Sequence, residues 1–255
     1  MSAHPTSLVR MKGVTLQFDA KVVLNGVDLS LEPQEALVIM GLSGCGKSTL
    51  LSILLGLLVP NSGTVYFQDK DLMNLSRREL NEVRKHIGMV YQNAALLSSL
   101  SIGENVGLPL RELTNKTASE IHSVISEKLE LVGLLDAKEK LPSELSGGMQ
   151  KRAGLARALA LNPELVLFDE PSTGLDPINS GLIHDLIIKL REEHHVTSII
   201  VTHEMESAFL LATRMAFLDG GKIILEGKPD DFRDSAIPVI QEFLSSYTKH
   251  EPKKE

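Results

Sequence analysis

Hydrophobic and polar positions alternate from Leu8 to Leu31 in two runs, "LVRMKGVTLQF" and "VVLNGVDLSL". The polar turn "DAK" lies between them, which predicts an antiparallel β pair. The alternation then stops. "ALVIM", Ala36 to Met40, is wholly apolar and ends at Gly41, the pattern of a short strand buried on both faces, and a helical run begins at Lys47. Two more buried strands are expected at "LVLF" (Leu165 to Phe168) and "SIIVT" (Ser198 to Thr202), with the helical "NSGLIHDLIIKLREE" between them. This alternation of strand and helix predicts a parallel central sheet. Between Gln92 and Leu161 strand signals vanish, and "TASEIHSVISEKLELVGL" has helical spacing behind a Thr117 cap with Glu120 three positions on, so an inserted helical lobe is expected. "RMAFLDGGKIILEG" reads as a hairpin around Gly220 and Gly221, followed by a last helix in "IPVIQEFLSSY" and a frayed tail, "TKHEPKKE".

Composition narrows the class. At 255 residues and 43% hydrophobic content the chain can bury a sizeable core as one α/β domain. Its longest apolar run, Leu50 to Val59, stops at Pro60 and is shorter than the ~20 residues a membrane helix needs. The opening "MSAHPTSLVRMKG" has no apolar stretch of the kind a secretory signal requires, and one cysteine makes no internal disulfide, so a cytosolic location is expected. A net charge of -7, with 4% aromatics and no tryptophan, argues against nucleic acid as a partner. The basic groups at Arg84 to His86 and at Lys151 and Arg152 read as solvated helix faces.

The chemistry concentrates at strand ends. "GLSGCGKST", Gly41 to Thr49, follows a buried strand and opens a helix, so the backbone N–H groups of Gly41, Leu42, Ser43, Gly44, Cys45 and Gly46 can close around phosphates. Lys47 would reach the outer phosphates and the Ser48 hydroxyl would sit on Mg²⁺, with Thr49 beside it and the helix dipole aimed at the anion. Cys45 reads either as a small residue that fits or as a thiol made acidic by the helix terminus. "LVLFDEP" sets Asp169 and Glu170 at a strand end, where Asp169 can hold Mg²⁺ through water and Glu170 can deprotonate the attacking water. His203 follows "SIIVT" and emerges from the same edge. Gln92, at the end of the apolar "IGMVY", is positioned to ligate Mg²⁺ or contact that water. A second glycine cradle, "ELSGGMQKRA", places Ser146, Gly147 and Gly148 at another helix start.

In order and spacing, "GLSGCGKST", Gln92, "LSGGM", "LVLFDEP", "STGLD" and His203 resemble ATP-binding-cassette (ABC) ATPases over nearly the whole chain. Only the last position of the usual signature "LSGGQ" differs, as Met149. The resemblance implies a P-loop NTPase of ABC type: a mixed central sheet with an N-terminal antiparallel β subdomain and an inserted α-helical subdomain. It implies one domain over 1–255, with the core in 1–91 and 162–235, the helical subdomain in 92–161, and a terminal helix and tail in 236–255. It implies ATP as substrate and a head-to-tail pair with a second copy, in which the loop at Ser146, Gly147 and Gly148 caps ATP held by the other copy. It also implies Phe18 against adenine, although an aromatic there is equally a core residue, and Asp176 touching the opposite site.

Within that family "YQNAALLSSLSIGENVGLPLRE", "LPSELSGGMQKRAGLARALA" and "DEPSTGLDPI" look like the ATPase subunits of MCE or Mla-type lipid transporters. The implied role is an ATP-hydrolysing subunit bound peripherally at the cytoplasmic face of the inner membrane. Its implied partners are integral-membrane permease subunits, a periplasmic MCE lipid-binding protein and a small cytosolic regulatory subunit. Ala94 to Leu97 reads either as an apolar patch for a permease helix or as lobe core. The alternatives are an amino-acid or lipoprotein transport cassette, a soluble non-transport cassette, and a metabolite kinase.

Overall fold

The computed structural model of the chain describes residues 7–248, with side chains described as far as residue 245; the tail beyond Thr248, read above as frayed, lies outside them. β1 (Val9–Phe18) and β2 (Lys21–Leu31) pair antiparallel across the turn at Asp19 and Ala20. Val9, Met11, Val14 and Leu16 point inward, and a bulge between Met11 and Val14 restores the inward phase after the extra residue. The sequence pattern predicts no element over residues 60–86. In the structure they supply β4 (Ser62–Phe67), β5 (Lys70–Asp71) and α2 (Arg77–Arg84), which follow β3 (Ala36–Met40) and α1 (Lys47–Leu54). β4 joins β1, so the small sheet runs β2-β1-β4-β5.

β6 (Ile87–Val90) leads into the helical lobe of α3 (Ile102–Leu113), α4 (Ala118–Leu131) and α5 (Gly147–Ala158). Thr117 caps α4 with Glu120 in a reciprocal capping box, as its spacing predicts. The chain returns through β7 (Leu165–Asp169), α6 (Pro177–His194), β8 (Thr197–Val201), α7 (Met205–Leu211), β9 (Arg214–Asp219), β10 (Lys222–Gly227), α8 (Pro229–Arg233) and α9 (Pro238–Thr248). The large sheet runs β10-β9-β3-β8-β7-β6, parallel except for the edge strand β10. The sheet is therefore mixed, as the resemblance implies: the buried runs are parallel, and the expected hairpin at Gly220–Gly221 sends β10 back against β9.

Both faces of this sheet are covered, which is why its strands read as unbroken apolar runs. On one face Val38, Met40, Phe168 and Ile200 pack with Val106, Leu129 and Leu155 of the helical lobe. On the other, Leu37, Ile39, Leu167 and Ile199 pack with Leu50 and Leu54 of α1 and with the small sheet. Because β3, β6, β7 and β8 are parallel, their C-terminal ends lie at one edge and carry the loops at Gly41, Gln92, Glu170 and His203 to the same place. No helix among the described residues is long and apolar enough to cross a membrane.

Two local readings are corrected by packing. Lys151 is 8% exposed and Arg152 donates to the Val132 carbonyl at 2.9 Å, so this pair belongs to the interior side of α5 rather than to a solvated face. Arg84 likewise turns inward, donating to the carbonyls of Leu55 and Gly56. The segment Ala94 to Leu97 is divided: Ala94 is buried and Leu96 packs against the lobe core, whereas Leu97 is exposed.

Candidate nucleotide site

The glycine loop between β3 and α1 turns tightly. Gly41 has φ of +151°, and a Cβ there would fall 2.2 Å from the Leu218 carbonyl oxygen of β9, so no larger residue fits without moving a strand. Lys47 at the start of α1 is almost wholly buried, and its ammonium donates back to the carbonyls of Gly41 at 2.8 Å and Leu42 at 3.2 Å. Two of its three donors therefore brace the loop, and the charge faces the cavity that the loop encloses. That cavity measures about 410 Å³. Ser43, Gly44, Gly46, Lys47, Ser48 and Thr49 form its floor, and Val23 of β2 closes one side.

The ends of β6, β7 and β8 furnish the remaining wall: Gln92, Asp169, Glu170 and His203. Ser48 Oγ donates to Asp169 Oδ1 at 3.0 Å. Burial pushes the Asp169 carboxyl above its ordinary range, opposed by the Ser48 hydrogen bond and reinforced by the charge of Glu170. Glu170 has φ of 50°, an uncommon backbone region for a residue with a side chain. Its N–H donates to the Val201 carbonyl, which fixes the turn against β8. Two groups converge on Glu170 Oε2: Thr173 Oγ1 donates at 2.9 Å, and His203 Nδ1 lies 2.9 Å away.

Thr173 was missed by the sequence reading, which took only Asp176 from "STGLD". The available signal was a hydroxyl three residues beyond the acidic pair, within reach of it across a turn. The adjacent Ser172 is buried and donates to Glu204, which ties the same turn to α7. Cys45 is partly buried, and burial pushes its thiol up rather than down, opposite to the acidified-thiol alternative.

Other expected residues stand outside the cavity lining. Ser146 caps α5, accepting from Met149 N–H at 3.3 Å, with Gly147 exposed beside it. Asp176 caps α6, accepting from the backbone of Ile178 and Asn179 and from the Asn179 side chain. These two helix starts adjoin: a Cβ on Gly148 would lie 2.4 Å from Asn179 Oδ1. The signature loop and the Asp176 loop thus share one surface. Phe18, at the end of β1, is 49% exposed and is not a core residue.

A glycine loop after a buried strand, a lysine and serine opening a helix, and an acidic pair at a neighbouring strand end define a P-loop NTPase. The chain belongs to the ABC transporter family, whose model matches residues 24–173, and it is an ABC-type ATPase. It is 41% identical over 238 residues to the intermembrane phospholipid transport system ATP-binding protein MlaF of Haemophilus influenzae, covering 93% of this chain and 90% of that protein. It is 38% identical to the probable ribonucleotide transport ATP-binding protein mkl of Mycobacterium tuberculosis, covering 93% of this chain and 66% of that one. Among solved structures, the ATP-binding cassette MJ0796, in a dimeric post-hydrolysis state bound to ADP and Pi, superposes with a TM-score of 0.79 at 35% identity. That match covers 86% of this chain and 98% of MJ0796.

Proposed function

We propose that this chain powers an inner-membrane ABC transporter that moves phospholipids between the inner and outer membranes, working as a head-to-tail pair at the cytoplasmic face. The observation that carries this reading is the 41% identity to MlaF over nearly the full length of both chains. Its partners on this reading are two permease subunits, a periplasmic MCE lipid-binding protein and a small regulatory subunit.

ATP enters the cavity with its triphosphate along the loop Gly41–Thr49. Lys47 neutralises the outer phosphates, and Phe18, exposed at the end of β1, is available to adenine. Ser48, Gln92 and Asp169 line the cavity with one hydroxyl, one amide and one carboxylate oxygen, hard donors that suit Mg²⁺ and would hold it. When bound, the ion would supply positive charge that offsets the charge of the triphosphate. Glu170 is the general base. With Thr173 and His203 both directed at Oε2, water activation falls to the other carboxylate oxygen, and His203 also faces the position of the γ-phosphate. Ser146, Gly147 and Gly148 lie outside their own cavity and supply N–H and hydroxyl donors to ATP held by the second copy, with Asp176 beside them at the same surface. Binding then favours the closed pair, and hydrolysis removes the contacts that closed it.

The test is purification of the intact complex from detergent-solubilised membranes, followed by identification of its subunits and lipids and reconstitution in phospholipid vesicles. Expected are permease and MCE subunits, bound phospholipid, and ATP turnover that Glu170→Gln cuts to a small residual rate. An amino-acid permease in the complex, with no bound lipid, would refute the phospholipid assignment.

A further inference from the structure

α5 begins at the signature loop and then passes behind the loop that bears Glu170. Five residues along from its cap Ser146 sits Lys151, a lysine only 8% exposed. Its ammonium donates to the Thr173 carbonyl at 2.6 Å and stands 3.5 Å from the Glu170 carbonyl. Those two carbonyls bound the turn from Glu170 to Thr173, whose two ends also meet through side chains, since Thr173 Oγ1 donates to Glu170 Oε2. Burial lowers the Lys151 pKa, and the carboxylates of Glu204 and Glu170 favour its charged form against that effect. A neutral amine would donate more weakly to a carbonyl than an ammonium does. A buried cation held at some cost, aimed at the backbone of the catalytic turn, calls for a role.

We propose that Lys151 is a positioning residue for hydrolysis: its ammonium holds the Glu170–Thr173 turn so that Thr173 and His203 present Glu170 in the reactive orientation. The geometry explains two things together. Glu170 has a left-handed backbone (φ 50°), which persists only when the surroundings over-determine it; its N–H bond to Val201 is one constraint and the Lys151 contacts to the Glu170 and Thr173 carbonyls are another. Lys151 is also on the helix whose first residues form the signature loop, so the loop that caps the partner's nucleotide is joined rigidly to the base of this copy's own site. About one turn of helix separates the two functions, which leaves little slack between them. Lys151 does not line the cavity and acts only through Glu170 and Thr173.

This rests on Glu170 being the general base, and the experiment separates the two ideas. In the assembled transporter, kcat and KM for ATP are measured for Lys151→Met, Lys151→Arg, Glu170→Gln and the double variant Lys151→Met/Glu170→Gln, with melting temperatures alongside. Expected is a loss of about 10- to 100-fold in kcat for Lys151→Met, the scale of a small misplacement of a catalytic group, with KM nearly unchanged. Lys151→Arg, which keeps a charged donor, recovers most of the rate. In the Glu170→Gln background Lys151→Met has no further effect. Should the methionine variant not fold, Lys151→Gln, too short to reach the carbonyl, carries the same expectation. Wild-type turnover by Glu170→Gln alone would overturn the base assignment and this proposal with it. An impaired Glu170→Gln, combined with the same fold-loss from Lys151→Met in both backgrounds, would overturn the Lys151 proposal alone, as would a loss confined to KM.

Discussion

Replacing Thr173 by Val removes one hydroxyl and keeps the branched shape of the side chain. The hydroxyl donates at 2.9 Å to Glu170 Oε2, and the Glu170 side chain is 12% exposed, so water cannot readily take over the lost bond. A hydrogen bond to a charged group is worth about 1.5–3 kcal/mol. At about 1.4 kcal/mol for each factor of ten in rate, full expression in the transition state would lower kcat by about 10- to 100-fold. His203 Nδ1 lies against the same oxygen, at 2.9 Å, and retains part of the orientation, which places the expected loss near tenfold. KM should hardly move, because Thr173 lies outside the cavity lining. The assay is steady-state phosphate release by the assembled complex over a range of ATP concentrations, with His203→Ala and the Thr173→Val/His203→Ala pair in parallel. The pair should lose more than the product of the singles, since each donor compensates for the other. Wild-type kcat in Thr173→Val, or strict additivity in the pair, would refute the shared-oxygen argument.

Asp169→Asn should raise the melting temperature of the nucleotide-free, metal-free protein near neutral pH while sharply reducing ATP turnover. Burial raises the folded-state pKa of Asp169 above its unfolded value, so its favourable contribution is complete below the ordinary carboxylate range and is lost as pH rises through the raised value. The stabilisation by Asn should therefore shrink as the pH is lowered, and calorimetry across that window checks the sign. Gly41→Ala should fail to bind a fluorescent ATP analogue, because the added methyl meets the Leu218 carbonyl of a central strand rather than a side chain that can swing away; binding at wild-type affinity would show that β9 yields.

The sequence by itself settled whatever depends on neighbouring residues. The order strand, glycine loop, helix at Ala36 to Leu54 follows from an apolar run, a set of glycines and a helix start, all within one segment. The Thr117–Glu120 cap is likewise local. Asp169, Glu170, His203 and Gln92 were legible as strand-end polar residues because buried parallel strands carry their polar residues out at one edge. The small-sheet strand Ser62–Phe67 was not legible, since a lone six-residue run is specified chiefly by the partner β1 that it finds across the fold. Lys151 looked like a solvated cation, for its helix carries charges and small residues with no strong apolar stripe to show which side faces in. Only when α5 packs against the Glu170–Thr173 turn does that ammonium lose water and gain a carbonyl, and only then does Thr173 come within reach of Glu170. Burial and orientation are properties of two segments in contact, and no single stretch of chain encodes them.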